Sequence, residues 1–158
     1  MSKESIAVFW FRRDLRLQDN AGLYHALKEN KNILPIFIFD KNILNQLDDK
    51  HDRRVDFIHQ AITSLDKELK ELGSALHCFY STPLQAFKDV IENHTVSCIY
   101  TNHDYEPYAK ERDAEIENFL KGKNIGFKTY KDQCIFEKEE VLKDNGEPYT
   151  VFTPYSKK

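Results

Sequence analysis

Residues 8–20 read VFWFRRDLRLQDN, and this stretch constrains the fold more than any other part of the chain. Four apolar residues come first, and charged residues follow them without a glycine. A short apolar run that is rich in aromatic residues and leads into a helical pattern is typical of a buried parallel strand. A dinucleotide-binding fold places glycines in the next turn, where the backbone approaches a pyrophosphate. This turn contains three arginines and two aspartates instead, which predicts side-chain ion pairs rather than a phosphate cradle.

The apolar pattern then alternates between strands and helices. Five strands are predicted, at residues 6–11, 33–39, 75–80, 96–101 and 125–130. Residues 41–50 are interpreted as a polar connection. The longest helix is predicted from Asp52, with apolar residues at every third or fourth position from Val55 to Leu72 before Gly73 ends it. This apolar stripe is most simply a surface that faces the core, and a coiled-coil partner is the alternative.

Strands that alternate with helices favour a parallel sheet, because each parallel connection needs a crossover that returns the chain to the same edge. We therefore predict an α/β fold, a Rossmann-like five-stranded parallel sheet in the order 3-2-1-4-5 with helices on both faces. Residues 1–131 are predicted to form this domain. Residues 132–158 contain an Asn145-Gly146 turn signal and no strong helical period, so we interpret them as a connecting segment.

Length and charge limit the classes of function. A chain of 158 residues is the length of one globular domain. Its 23 lysines and arginines are outnumbered by 26 aspartates and glutamates, which gives a formal charge of -3. This balance offers no general attraction to a phosphate backbone, so the chain by itself is not expected to bind nucleic acid strongly.

Cysteine usage and the first residues indicate the compartment. Cys78, Cys98 and Cys134 lack the CxxC spacing of metal or redox sites, and each is flanked by apolar residues. Buried reduced thiols are therefore expected. The start of the chain, MSKESIAV, lacks the basic beginning and long apolar run of a secretion signal, and no apolar run approaches the length of about 20 residues that a membrane span needs. These features predict a cytoplasmic protein with no membrane partner.

Charged and polar side chains follow three strands that the predicted order places side by side. They are Arg12, Arg13 and Asp14 after strand one, Asp40 after strand two, and Asn102, His103, Asp104 and Glu106 after strand four. Ligands of doubly wound sheets bind beyond the carboxyl ends of the strands where the strand order reverses, which is here between strands one and four. Arg54, at the start of the long helix, is placed to reach the same edge. Polar groups of both signs above an apolar floor suit a planar heteroaromatic ligand.

Each of these residues also has a structural interpretation. The arginines after strand one are equally suited to fix a loop, or to dock a second domain, through salt bridges. Asp40 is placed to cap the following turn, and Glu106 to put a favourable charge at a helix start. The sequence contains no GxGxxG, P-loop, HExxH or Ser/His/Asp arrangement. We therefore predict a binding domain with no catalytic residue and no metal site.

Several separated motifs resemble those of the DNA photolyase and cryptochrome family. They are FWFRRDLRLQDN at 9–20, PIFIFD at 35–40, DRRVDF at 52–57 followed by LGSALH, YTNHDYEPYAKERDAEIE at 100–117, and GEPYTVFTPYSKK at 146–158. The motifs keep the order of the family and cover nearly the whole chain. Any one of them alone would be a weak signal, whereas their agreement is specific.

The resemblance implies the amino-terminal α/β domain of such a protein, most like that of a class I deoxyribodipyrimidine photolyase, which houses a light-harvesting antenna chromophore. FAD is expected in a helical domain that follows the VFTP motif, so residues 132–158 would begin the interdomain linker of a truncated protein. In this family the antenna passes excitation to reduced FAD, and an electron from the flavin splits a cyclobutane pyrimidine dimer flipped out of DNA. The implied partners are the FAD-binding helical domain and UV-damaged DNA, and this fragment alone is expected to be inactive.

The resemblance also suggests antenna-binding residues. By position, Asp40, Arg54, Asp104 and Glu106 match the pocket of members that use 8-hydroxy-5-deazaflavin, and Arg12 and Arg13 flank that pocket. Members that use methenyltetrahydrofolate have an Asn-Glu pair where this chain has residues 108 and 109, Tyr and Ala. This departure weakens the folate assignment, and FMN or FAD serves in other relatives. The antenna is thus left open among a deazaflavin-like ring, methenyltetrahydrofolate and a flavin.

Two other functions are alternatives to a photolyase. A cryptochrome, a light sensor that signals through a partner without repairing DNA, would share the same domain. A free-standing nucleotide-binding α/β protein that is complete at Lys158 is the third hypothesis, and a natural open reading frame ending there would favour it.

Overall fold

Five parallel strands and the helices that connect them form the framework of the chain. The computed structural model describes residues 4–49 and 51–158; residues 1–3 of the predicted domain and residue 50 of the predicted polar connection lie outside the described residues. In chain order the elements are β1 (Ile6–Phe11), α1 (Ala21–Glu29), β2 (Ile33–Asp40), α2 (Lys41–Leu44), α3 (Arg53–Glu71), β3 (His77–Ser81), α4 (Pro83–Asn93), β4 (Val96–Asn102), α5 (Pro107–Lys121), β5 (Gly126–Tyr130) and α6 (Phe152–Tyr155).

The strand order is β3-β2-β1-β4-β5, and every neighbouring pair is parallel. β1 is the central strand, with Val8 opposite Leu34 of β2 on one side and Ile99 of β4 on the other. The predicted Rossmann-like order is confirmed. Because all strands run in the same direction, the loops that follow β1, β2 and β4 leave the sheet at one edge.

Two hydrophobic cores lie on opposite faces of the sheet, and the alternation of side chains along β1 divides them. Phe9 packs in the core that contains Leu23 of α1 and Leu65 of α3. Trp10 packs in the other core, with Phe87 of α4 and, among others, residues of α5. The prediction of helices on both faces is therefore confirmed.

Polar side chains cap the starts of α1, α3 and α4. Asn20 accepts a hydrogen bond from the amide of Leu23, Thr82 caps α4 ahead of its first-turn proline, and Asp52 accepts from the amide of Arg54. These side-chain oxygens satisfy amides that have no partner within the first helical turn. At the other end of α3, Gly73 adopts φ +80, a left-handed conformation that glycine reaches without a steric penalty.

The apolar stripe of α3 faces the core along its middle. Ile62, Leu65 and Leu69 are buried, whereas Leu72 is 74% exposed. Leu72 is the C-cap residue, where the chain already leaves the helix. The stripe is thus a core-facing surface that is shorter than its sequence pattern suggests.

Two segments contain structure that the sequence pattern does not predict. The connection at 41–50 begins with α2, which Asp40 caps by accepting a hydrogen bond from the Asn42 amide at 2.9 Å. The last residues include the short helix α6. Both helices have four residues, too few for an apolar period to be recognised.

The expectation of three buried thiols is wrong for two of them. Cys98 of β4 is buried, but Cys78 and Cys134 are exposed, and all three are free. Cys78 is exposed because β3 is an edge strand with neighbours on one side only. Cys134 lies in the segment after β5, outside both cores. Flanking apolar residues were therefore an insufficient signal of burial.

A helix that crosses a lipid bilayer must be both long and apolar. Within residues 4–49 and 51–158, no helix is both long enough and apolar enough to cross a membrane.

Candidate functional site

A cavity of about 360 Å³ opens at the edge of the sheet where β1, β2 and β4 end. Its volume lies within the range of about 300 to 1,000 Å³ that is typical of small-molecule sites. All six residues that the sequence predicts for the site line this cavity: Arg12, Arg13, Asp40, Arg54, Asp104 and Glu106. The structure thus brings together polar groups from the ends of β1, β2 and β4 and from the start of α3.

The cavity lies closer to β2 than the sequence predicts. Its floor includes Phe37, Ile38 and Phe39 of β2 in addition to the end of β1, and its outer wall is apolar. That wall is formed by α2, the connection after it and the first turns of α3, through Ile43, Leu44, Leu47, Val55 and Ile58. The unpredicted helix α2 therefore moves the site from the crevice between β1 and β4 to a position under α2 and α3.

Arg12 holds the loop after β1 against α5. Its two terminal nitrogens each donate to Asp113 at 2.9 Å, and only 7% of its side chain is exposed. Burial, and secondly the positive charge of nearby Arg112, lower the pKa of Arg12 to about 10, although Asp113 partly offsets both effects. Arg12 is therefore a charged part of the cavity wall whose two terminal nitrogens are held by Asp113, whereas its buried Nε has no hydrogen-bond partner among the described residues.

Arg13, Asp104 and Glu106 form an ion-pair group at the rim. Arg13 donates to Glu106 at 2.5 Å, and its Nε lies 3.6 Å from Asp104. The hydrogen bond to Glu106 is the main reason that the pKa of Arg13 is raised. Asp104 is much more buried than its partners, with a side chain that is 8% exposed. It is therefore the member of this ion-pair group that a ligand in the cavity would meet away from solvent.

Arg54 is the outermost of the six residues. Its side chain is 76% exposed and pairs with Asp52, the N-cap of the same helix, at 2.5 Å. Hydrogen bonding to Asp52 raises the pKa of Arg54. An exposed pair of this kind contributes little to stability, and its position at the mouth suits contact with the outer part of a ligand.

Asp40 and Tyr108 join β2 to α5 across one side of the cavity. The Tyr108 hydroxyl donates to Asp40 at 2.5 Å and accepts from the side-chain amide of Asn42 at 3.1 Å. Burial, and secondly the hydrogen bond to Asp40, raise the pKa of Tyr108 to about 12. Asp40 thus performs both roles considered for it: it caps α2 and it lines the cavity.

We expect four phenols to ionise late in an alkaline titration, because burial also raises the pKa of Tyr100 to about 12 and raises the pKa of Tyr105 and of Tyr130. The folded state holds these protons more tightly than the unfolded state, whose tyrosines have a pKa of about 10. The stability that these neutral phenols contribute is therefore fully present below pH about 10 and is lost as the pH rises through about 12. Phenolate absorbance measures the effect, and Tyr108→Phe should remove one late-titrating group. Complete ionisation of all tyrosines by pH about 11 in the folded protein would contradict it.

Arg112 and Tyr108 are site residues that the sequence interpretation missed. Both lie on α5 and line the cavity. A signal for Arg112 existed, because helical spacing places it on the same buried face as Ala109, Ile116 and Leu120. Burying a charge on an apolar face costs free energy unless the charge is paired, so its presence there indicates a specific role.

Three buried polar atoms of residues in the cavity wall are without hydrogen-bond partners among the described residues. They are Nε of Arg12, Oδ1 of Asp104 and Nη2 of Arg112. Nη2 of Arg112 lies 3.9 Å from the other carboxylate oxygen of Asp104, and the Arg112 side chain is 7% exposed. Most buried polar atoms in folded proteins have a partner. The acceptor of Asp104 and the donor of Arg112 are thus available to a ligand from adjacent positions.

Other polar residues after β1 and β4 do not line the cavity. Asn102 donates to Asp14 at 2.6 Å and to the side-chain oxygen of Asn20 at 2.8 Å, and it accepts from the amide of Gly22 at 2.8 Å. This buried network joins the end of β4 to the start of α1. His103 instead contacts Glu137 and Thr129. These residues therefore support the loops that carry Arg12 and Asp104.

A metal site built by a protein needs several His, Cys, Asp or Glu ligands close together. Within residues 4–49 and 51–158, no three His, Cys, Asp or Glu side chains are grouped so that they could hold a metal ion.

Comparison with known proteins gives relatives over almost the whole chain. A family model described as DNA photolyase matches residues 7–158. The deoxyribodipyrimidine photo-lyase of Synechococcus sp. is 31% identical over 150 residues, which are 95% of this chain and 31% of the relative. Cryptochrome-2 of Arabidopsis thaliana is 30% identical over 159 residues, which are 100% of this chain and 26% of the relative. The chain thus spans about a third or less of the length of these two curated relatives.

Solved structures of similar proteins have the same fold. A class III photolyase from Agrobacterium tumefaciens superposes with a TM-score of 0.84 at 23% identity, over 98% of this chain and 31% of that one. An archaeal photolyase from Sulfolobus tokodaii gives a TM-score of 0.74 at 33% identity, over 85% of this chain and 32% of that one, and its structure contains two FAD molecules that imply a novel light-harvesting cofactor. Because the family model matches residues 7–158, nearly the whole chain, the chain belongs to the DNA photolyase family.

Proposed function

We propose that the chain is the amino-terminal antenna-chromophore domain of a light-driven DNA-repair enzyme, a deoxyribodipyrimidine photolyase that splits cyclobutane pyrimidine dimers. The observation that carries the proposal is the cavity, in which all six residues expected from the sequence meet. Family membership supports the class of enzyme. In this proposal the domain binds the chromophore and contributes no catalytic residue.

The residues of the cavity fit a planar heteroaromatic ring. Its floor and outer wall are apolar, which suits the faces of a ring, and Asp104 Oδ1 with Arg112 Nη2 offers an acceptor and a donor to a polar ring edge. Arg13 and Arg54 lie nearer to solvent, where they would meet the more polar part of the ligand. Arg12 and Asp40 would shape the wall.

The antenna is proposed to be a flavin or a deazaflavin-like ring. The second FAD of the Sulfolobus relative supports a flavin. Methenyltetrahydrofolate is the less favoured choice, because Tyr108 fills part of the cavity wall and its hydroxyl is already held by Asp40 and Asn42. When bound, the chromophore would supply light absorption and energy transfer, and the residues of this chain would orient it and exclude water.

Further parts of the proposal concern the full-length protein. FAD is proposed to bind in a helical domain beyond the relatives' shared α/β region, and residues 132–158 are proposed to begin the linker to it. UV-damaged DNA and that helical domain are the proposed partners, in a cytoplasmic enzyme. The fragment alone is proposed to be inactive, because its cavity offers a place for an antenna and no arrangement for bond cleavage.

We expect Asp104→Ala to weaken riboflavin binding by about 10- to 100-fold, because a hydrogen bond to a buried carboxylate contributes about 1.5 to 3 kcal/mol. Arg54→Ala should weaken it by less than about threefold, since its exposed charge is screened. Fluorescence anisotropy of riboflavin titrated with the purified chain measures both effects. Glu92→Ala, an exposed substitution on α4 outside the cavity, is the matched control. Equal affinities for the Asp104→Ala and Glu92→Ala variants would reject the site.

The enzyme class is tested with the protein expressed through its natural stop codon. Once its flavin is reduced, the illuminated protein should split the pyrimidine dimers in damaged DNA. Dimers that remain under these conditions would reject the photolyase proposal. A cryptochrome is the second candidate, which the 30% identity to Cryptochrome-2 favours. Light-dependent capture of a protein partner without repair would support that candidate instead.

A further inference from the structure

Trp10 is the single tryptophan of the chain, and it lines the cavity. The residue is 2% exposed, and its ring packs edge to face against Phe87, with ring centroids 5.1 Å apart. Two arginines contact the same indole. The Cζ atom of Arg12 lies 4.0 Å from the ring centroid, and that of Arg112 lies 4.8 Å from it. One buried aromatic ring therefore has two guanidinium groups as neighbours.

Both guanidinium groups lie beside the indole and are shielded from water. Each side chain is 7% exposed, and the lowered pKa of Arg12, about 10, still leaves it protonated at neutral pH. Asp113 accepts hydrogen bonds from N–H groups of both arginines. A cation over an aromatic ring is attracted to its π electrons, and the interaction is stronger where water is excluded. The same attraction makes removal of an electron from the ring more costly.

Electron loss from an indole matters next to a ligand that absorbs light. Indole is among the side chains that most readily give an electron to an excited heteroaromatic ring. In that event one electron leaves the indole, which becomes a radical cation, and the electron then returns. Both partners end in their ground states and the absorbed energy is released as heat. A tryptophan in the wall of an antenna site would therefore shorten the excited state that the site serves.

We propose that Arg12 and Arg112 protect a light-excited ring in the cavity from quenching by Trp10, by making electron loss from its indole unfavourable. This inference rests on the proposed antenna function. It assigns Arg112 a role in addition to its available hydrogen-bond donor. If the two arginines only packed against the indole, the excited-state lifetime of a bound ring would not depend on their charge.

The test measures the fluorescence lifetime of riboflavin bound to the whole chain, with anisotropy decay separating bound from free molecules. Arg112→Gln removes one charge and should shorten the bound lifetime by at least about threefold. Arg112→Lys, which keeps the charge, should restore most of it. In the Trp10→Phe background, Arg112→Gln should leave the lifetime unchanged. An unchanged lifetime in Arg112→Gln alone, or equal shortening with and without Trp10, would overturn the inference.

A second measurement does not depend on the folding of an Arg112 variant. With both arginines present, Trp10→Phe should lengthen the bound lifetime by less than about 1.5-fold, because the indole is already protected. A several-fold lengthening would show that Trp10 quenches despite the arginines, and would overturn the inference. Lys88→Gln removes a cation that lies over Phe119, at 6.0 Å and outside the cavity, and is the control for a change of charge alone.

The two proposals fail in different ways. If riboflavin and a deazaflavin give no increase in anisotropy with the unaltered chain, the antenna site is rejected together with the inference that rests on it. If the ligand binds, and Asp104→Ala weakens it, but the lifetime does not respond to Arg112→Gln, the antenna site stands and the protective role of the arginines is rejected.

Discussion

Asp113→Ala is expected to lower the free energy of unfolding by about 3 to 5 kcal/mol, the range for breaking a buried ion pair on one side. Asp113 accepts two hydrogen bonds at 2.9 Å from Arg12 and one at 3.1 Å from Arg112. Without this carboxylate, the two buried cations next to Trp10 would repel each other. Urea denaturation followed by circular dichroism measures the loss.

The control for this substitution lies one turn further along α5. Glu117 is exposed, and Glu117→Ala should change the free energy of unfolding by no more than about 0.5 kcal/mol. A loss below about 1 kcal/mol for Asp113→Ala would mean that water reaches Arg12 and Arg112 in its absence. That result would contradict the low dielectric on which the protection of Trp10 depends.

Asn102→Ala is expected to destabilise the domain by about 3 kcal/mol, because it leaves several buried groups without a partner at about 1 to 3 kcal/mol each. The lost hydrogen bonds reach Asp14, Asn20 and the amide of Gly22. Amide hydrogen exchange at Gly22 should accelerate more than exchange at the amides of β1, since the network joins β4 to α1 locally. Urea denaturation and exchange measured by NMR provide the two readouts.

The matched control is Asn118→Ala, which changes the same residue type at an exposed position of α5. It should alter stability by no more than about 0.5 kcal/mol. Similar losses in the two variants would show that the amide of Asn102 does not act through its buried partners. Riboflavin affinity in Asn102→Ala should also fall, because the loop that begins after this residue carries Asp104.

Sequence reasoning was most successful where a pattern has a simple geometric meaning. The apolar runs gave the five strands, and the requirement for crossovers gave parallel pairing with helices on both faces. The meeting of Arg12, Asp40 and Asp104 followed from one rule, that the carboxyl ends of parallel strands share an edge. No comparable rule predicts which ligand binds, because ligand identity depends on distances between side chains from several elements.

The failures have equally physical causes. Cys78 is exposed because β3 is an edge strand, and local composition carries no information about a strand's neighbours. Helix α2 is a single turn capped by Asp40, too short to leave a periodic signal. Arg112 was overlooked although it lies on the apolar face of α5, where a charge should have been recognised as unusual.

The amino-acid sequence by itself determined the strands, their parallel order and the set of charged residues at one edge, because these depend on local hydrophobic periodicity and on chain connectivity. Only the tertiary structure decided which charges pair. Arg12 pairs with Asp113, which is 101 positions away in the sequence, and Tyr108 donates to Asp40, which is 68 positions away. Arg112 stacks on Trp10. Such contacts arise when α5 packs against the sheet, and the same packing leaves the donor of Arg112 and the acceptor of Asp104 available in the cavity wall.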